Sequence, residues 1–339
     1  MTAPLHLRRL VPAFLLVLML GSCNAARRVD LPAPTAVPSA PAPSVGAGAD
    51  PFEPRIYNDA VFAGLGTWLD IFEQGYRHPV HTVERAVALG VTTLYVQTSN
   101  FTRPAIRFPG RYGAFIEAEH AHGLSVVAWY LPGLRNVPGD LHKSLAAVRY
   151  ESPAGQRADG FGLDIEAAEV RSHRARSLRV LLLSRQLRDA VGSEYPLGAI
   201  TPMPLRIDGR GSYWREFPYA GLAEFYDAIL PMNYFTYDVS GRTAAAGYTL
   251  RGIASIRAGV GIQGYPIHEI GGISGDMTPE EASGFMSAVQ AGHCIGASLY
   301  NYSLTTPQLW RRMQPAASAP GPDPAADPAA DPAPYPPGS

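Results

Sequence analysis

The chain has 339 residues, with 28 Lys and Arg against 29 Asp and Glu, for a net charge of −1. That balance argues against a partner held mainly by charge, such as nucleic acid. Hydrophobic residues make up 46%, enough for a sizeable core, but the 32 prolines crowd the two ends, so the foldable part lies between them.

At the start of the chain, His6, Arg8 and Arg9 precede an apolar run from Leu10 to Leu20, followed by Gly21 and Ser22. Residues 1–22 read as a signal peptide, too short for a comfortable membrane span. Leu20-Gly21-Ser22-Cys23 resembles the bacterial lipobox. The resemblance implies an exported chain acylated at Cys23 and held by that lipid on the outer face of a bacterial membrane, in the cell envelope. With Cys23 acylated, Cys294 has no partner for an internal disulfide, and its apolar neighbours point to a buried, inert thiol. Residues 23–54, rich in Pro, Ala, Ser and Gly, read as a disordered tether, and 314–339, with Asp323-Pro324, Asp327-Pro328 and Asp331-Pro332, as a disordered tail.

Between them strands and helices alternate. The expected strands are Val61–Trp68, Val91–Thr98, Leu124–Leu131, Gly160–Glu166, Leu197–Met203, Ala228–Phe235, Val260–Tyr265 and Ile295–Tyr302. The helices after them are His81–Leu89, Tyr112–His122, Leu141–Tyr150, a long one ending at Val191, Leu222–Tyr226, Leu250–Arg257, Pro279–Gln290 and Pro307–Met313. Gly90 and Gly123 end the first two helices, and the next strand begins at once. This alternation implies a parallel sheet. Eight strand–helix units within residues 55–313 fit a single (β/α)8 TIM barrel of the α/β class. The competing open, doubly wound sheet would place a phosphate-binding glycine loop after its first strand, and Gly64-Leu65-Gly66-Thr67-Trp68 does not have that pattern.

In such a barrel chemistry occurs at the carboxyl ends of the strands. Those ends carry Trp68 and Asp70, Gln97, Trp129, Asp164 and Glu166, Met232-Asn233-Tyr234, Gln263, and Tyr300-Asn301. Aromatic faces stack on sugar rings, and amides and acids bond hydroxyl groups. In the fourth strand, Asp159-Gly160-Phe161-Gly162-Leu163-Asp164-Ile165-Glu166, alternation sends Phe161, Leu163 and Ile165 to the helix layer and Gly162, Asp164 and Glu166 into the barrel. Two acids two residues apart have Cα atoms roughly 6–7 Å apart. In a poorly hydrated mouth such a pair keeps a proton, as cleavage of a glycosidic bond requires. The rival reading is an ion pair with an inward Arg or Lys, but no strand end supplies an obvious one.

This segment resembles the fourth-strand signature of the chitinase-like family 18 glycoside hydrolases, D-x-x-D-x-D-x-E. Asp159, Asp164 and Glu166 match it, and Gly162 stands in place of the second Asp. Met232-Asn233-Tyr234 resembles the family's M-x-Y segment, and Tyr300 stands where the family usually has a Trp. The resemblance implies a glycan substrate, with Glu166 as general acid, Asp164 orienting an N-acetyl group that itself attacks the anomeric carbon, and Tyr234 bonding the acetamido oxygen. Their place at the strand ends makes Trp68, Gln97, Trp129, Met232, Asn233, Gln263, Tyr300 and Asn301 the candidate substrate-binding residues, and no cofactor is expected. Asp-x-Glu at a strand end also resembles the family 25 muramidases. The Gly162 departure leaves a non-catalytic, sugar-binding barrel lipoprotein as the alternative. No metal motif is present: His120 and His122 lie two apart on a helix, and His78 and His81 stand near a helix start. The basic run Arg171, His173, Arg174, Arg176 and Arg179 reads as a solvated face.

Overall fold

The computed structural model describes residues 56–207 and 212–314. The expected signal peptide, the acylated Cys23, the tether and the tail beyond Gln314 lie outside the described residues.

Eight strands form one parallel sheet: β1 (Gly64–Leu69), β2 (Thr93–Asn100), β3 (Ser125–Leu131), β4 (Gly160–Asp164), β5 (Leu197–Thr201), β6 (Ala228–Pro231), β7 (His268–Ile273) and β8 (Gly296–Tyr300). Their order is β6-β5-β4-β3-β2-β1-β8-β7. The ring closes between β7 and β6 through two isolated bridges, Ile229 with Ile267 and Met232 with Ile270. The chain is therefore an eight-stranded, nearly closed barrel with helices between its strands, as the alternation predicts.

The helices are α1 (Pro79–Ala88), α2 (Pro109–Ala121), α3 (Val137–Arg149), α4 (His173–Val191), the short α5 (Pro204–Ile207) and α6 (Tyr219–Ala223), α7 (Arg242–Val260), α8 (Pro279–Ala291) and α9 (Pro307–Met313). Local chemistry sets several of their starts. Pro79 and Pro109 open α1 and α2, where a missing N–H has no cost. Ser172 caps α4, and Thr278 and Glu281 form a reciprocal capping box on α8.

The seventh strand corrects the sequence reading. Val260 is the last residue of α7, and Gly261 (φ 72°) and Gly264 (φ 71°) turn the chain in left-handed conformations. The helix extends this far because Ala245, Tyr248, Thr249, Gly252, Ile253, Ile256 and Val260 form one buried stripe. The true β7 begins at His268, and its two polar residues disguise it. His268 is buried inside the barrel, where its ring nitrogens meet Phe62 O (2.7 Å) and Ser298 Oγ (2.9 Å), and Glu269 is buried on the outer side against Asn233.

Apolar burial follows the pleat. Leu65 and Leu69, Leu94 and Val96, Phe161, Leu163 and Ile165, and Leu197 and Ala199 join the outer core under the helices. Trp68, Tyr95, Val127, Trp129, Ile200, Leu230, Met232, Tyr234 and Ile270 form a second cluster inside the ring. Asp159, at the start of β4, accepts from Val126 N (2.8 Å) and meets His120 Nε2 (3.0 Å), tying α2 to the sheet far from the carboxyl ends. Cys294 is partly buried, and burial raises its thiol well above its ordinary range.

Candidate active site

Strand alternation delivers the acids of the fourth strand. Asp164 is the last residue of β4, and Ile165 N still donates to Ile200 O (2.8 Å). Because Ile165 packs in the outer core, its neighbours Asp164 and Glu166 project on the other side, at the carboxyl-end mouth. Asp164 is 5% exposed, and its Oδ1 has no hydrogen-bond partner among the described residues. Glu166 is partly exposed and has no hydrogen bond among the described residues. Burial raises the Glu166 carboxyl to about 7. Burial, and then the charge of Glu166, drives Asp164 well above the ordinary carboxylate range. The pair thus retains a proton near neutrality.

Gly162 explains part of this geometry. A Cβ at this position would stand 2.9 Å from Ile200 Cδ1 and 3.5 Å from Trp129 Cβ. Ile200 thus fills the space a larger residue would need, leaving Asp164 with an apolar neighbour below it.

Tyrosines surround the pair. Tyr234 is 5% exposed, and its phenol is raised by burial and then by the Glu166 and Asp164 charges. Its ring lies 6.2 Å from Tyr300 on one side and 6.2 Å from Tyr237 on the other. Tyr213, in the loop after β5, is raised by burial and by both acids. Tyr237 is raised by burial, then by Asp276 and Glu166. Arg176 stacks on Tyr213 and Trp214 and donates to Val170 O and Tyr213 O, so this buried arginine is a loop brace. Arg176 thus departs from the expected solvated face, because the loop after β5 folds back over it, whereas Arg171 and Arg174 of the same run are exposed.

Across the mouth, Tyr300 Oη and Asn301 Nδ2 donate to Asp70 Oδ2 at 3.1 and 3.3 Å. Glu73 accepts from Ser303 Oγ (2.6 Å), and burial followed by the Asp70 charge raises it to about 8.

The other residues expected at the site separate into groups. Met232 and Trp129 line the inner cluster near the acids, and Trp129 Nε1 donates to Tyr95 O. Trp68 is 2% exposed, with its face stacked on Tyr95 (4.1 Å, 11°) and its Nε1 on Ser298 Oγ, so it fills the barrel and offers no open face to a sugar. Gln97 Oε1 accepts from Ile71 N and so fixes the loop after β1. Asn301 both holds Asp70 and accepts from Leu304 N. Two residues are elsewhere. Asn233 faces the helix layer, where its Nδ2 donates to Glu269 Oε2 (2.9 Å), because the pleat turns it away from Met232 and Tyr234. Gln263 lies in the exposed turn that precedes β7, a consequence of the longer α7. Sequence reasoning missed Tyr213, Tyr237 and Asp276. They sit on loops, where no periodicity marks them. Among the described residues no group of three or more His, Cys, Asp or Glu is arranged to hold a metal ion.

No family model matches the chain, and no curated protein sequence matches it. Solved structures share its architecture. The Bacillus cereus spore cortex-lytic enzyme SleL superposes with a TM-score of 0.54 at 9% identity, over 74% of this chain and 73% of that one. A plant class V chitinase mutant from Cycas revoluta in complex with (GlcNAc)3 gives 0.54 at 11%, over 75% and 99%. The chitinase-like agglutinin RobpsCRA from Robinia pseudoacacia gives 0.54 at 11%, over 74% and 99%. At these identities the likeness is one of fold alone, the (β/α)8 barrel that these proteins share with this chain.

Proposed function

We propose that the protein is a glycoside hydrolase acting on an extracellular or cell-envelope polysaccharide that contains N-acetylated sugars. The observation that carries the reading is the Asp164–Glu166 pair at the mouth, with Glu166 raised to about 7 by burial and unbonded among the described residues. A carboxyl that is partly protonated near neutrality can donate to the leaving glycosidic oxygen. The substrate's acetamido oxygen then attacks the anomeric carbon, so no protein nucleophile is needed. Asp164 orients the acetamido N–H through its unpaired Oδ1, and the Tyr234 hydroxyl donates to the acetamido oxygen. In the lipobox reading, acylation at Cys23 keeps the barrel at the membrane surface, beside the polymer it cuts.

One observation favours a second reading, a barrel that binds sugars without cutting them. Gly162 supplies no carboxyl and Ile200 occupies the space beside it, so Asp164 has no acid at position 162 with which to share a proton. Glu166→Gln tests both. In the hydrolase, release of reducing ends falls by roughly a hundred- to ten-thousand-fold while the circular dichroism spectrum is unchanged. Wild-type protein that binds N-acetylglucosamine oligomers over long incubation without releasing reducing ends identifies the binding barrel instead.

A further inference from the structure

The long helix α4 has two unlike faces. Arg176, Val180, Leu183, Ser184 and Leu187 are buried on one side. On the other, Arg174, Leu178, Leu182 and Arg185 follow one another three or four residues apart and form one exposed stripe, continued by Arg171 in the loop before the helix. Leu178 is 61% exposed and Leu182 48%. The arginines divide by face. Arg176 donates to Val170 O and Tyr213 O, Arg179 to Leu134 O, and Arg188 to Asp227 Oδ2. Arg171, Arg174 and Arg185 make no hydrogen bond or ion pair among the described residues. Asp189 is the only acid in the helix, so the stripe is cationic as well as apolar.

The described chain begins at the far end of the same helix. Asn58 Nδ2 donates to Ser193 O (3.1 Å), just past the end of α4, and Arg188 Nη1 donates to Gly192 O and Ser193 O. Leucines set among unpaired arginines call for apolar cover and for anions together. A soluble polyanion would serve the arginines and leave the leucines in water. A second copy laid across the same leucines would set Arg174 against Arg185. An anionic bilayer meets both needs: guanidinium groups bond headgroup phosphates while the leucines enter the acyl-chain boundary. We infer that this face of α4 docks the barrel on an anionic phospholipid surface. In the lipobox reading the acyl chain sits on Cys23, about 30 residues before Ile56, which makes the docking intramolecular, so a face of five side chains suffices. Barrel helices run alongside their strands, so docking on α4 lays the barrel on its side and opens the mouth along the membrane plane. The docking face is independent of the glycan chemistry at that mouth.

The test uses the mature chain from residue 23 with Cys23→Ser, which carries no lipid and keeps the whole described barrel. Sedimentation with vesicles of phosphatidylcholine, with and without phosphatidylglycerol, measures binding. The expected result is binding to the anionic vesicles only, weakening as salt is raised. Changing Arg171, Arg174 or Arg185 to Gln should weaken it roughly fivefold each. Leu178→Gln with Leu182→Gln should weaken it by roughly tenfold or more, with the circular dichroism spectrum unchanged because both side chains lie on the surface. Absence of binding to anionic vesicles overturns the inference, and binding that none of these variants weakens overturns the assignment to α4. Equal binding to soluble polyphosphate, indifferent to the leucine changes, assigns the stripe to a polyanion and overturns the bilayer. Self-association that the leucine changes abolish, without vesicle binding, assigns it to a second copy and overturns it likewise.

Discussion

The acid at the mouth gives a quantitative prediction. Burial raises Glu166 from an ordinary 4.5 to about 7, and burial is the cause, with Asp164 contributing no resolved part. That difference corresponds to roughly 3 kcal/mol against the charged form, an upper figure because water still reaches part of the carboxyl. An acid that must carry its proton works below its pKa, so kcat/KM should be level under about 7 and fall tenfold for each further pH unit. Because dehydration sets the position, opening the mouth should move it. Tyr213→Ala removes a ring whose phenol feels the Glu166 charge, admits water, and should bring the alkaline limb down by about one pH unit. Asp164→Asn should lower the rate but leave the limb near 7. The assay is the pH dependence of reducing-end release from N-acetylglucosamine oligomers for the three proteins. A limb that shifts in Asp164→Asn and stays fixed in Tyr213→Ala would refute the attribution to burial.

Two further outcomes concern stability. Gly162→Ala places a methyl 2.9 Å from Ile200 Cδ1 and should cost about 1–3 kcal/mol. Ile200→Val removes that contact atom, so the double variant should be more stable than the sum of the singles allows, as read from urea unfolding. Glu119 on α2 is fully buried with neither oxygen hydrogen-bonded among the described residues, and burial, then the Asp159 charge, raises it well above its ordinary range. The folded chain therefore holds a proton that the unfolded chain releases above about 4.5, so stability falls as pH rises from there toward the folded carboxyl's own higher pKa. Glu119→Gln should flatten that slope and gain about 1–3 kcal/mol near neutrality, measured by denaturation at several pH values. An unchanged slope would show that Glu119 is not the group responsible.

The barrel was legible because its signal is periodic and repeated. Alternation in β4 placed Phe161, Leu163 and Ile165 outside and Asp164 inside, and the acids followed from the same parity. The seventh strand was hidden because its burial is polar. His268 and Glu269 are matched by Phe62 O, Ser298 and Asn233, partners more than 30 residues away in the chain or nearly so, and no local pattern announces them. Asn233 was misread because proximity to Tyr234 in sequence is opposition in a strand. Tyr213 was missed and Arg176 misread as solvated for the same reason, since a loop residue gains meaning only from the helix it folds against.

Among the described residues the junction between β6 and β7 is held by two bridges, and on its outer side the Asn233 side chain reaches across to Glu269. Together with the Asn233 N–H bond to Ile270 O (2.9 Å), that amide rivets the barrel's thinnest stave. The residue after it is Tyr234, so the hydroxyl expected to steady a sugar takes its aim from a bond made on the opposite side of the wall. Damage at Glu269, out of reach of any substrate, would therefore register as a loosened grip within the mouth.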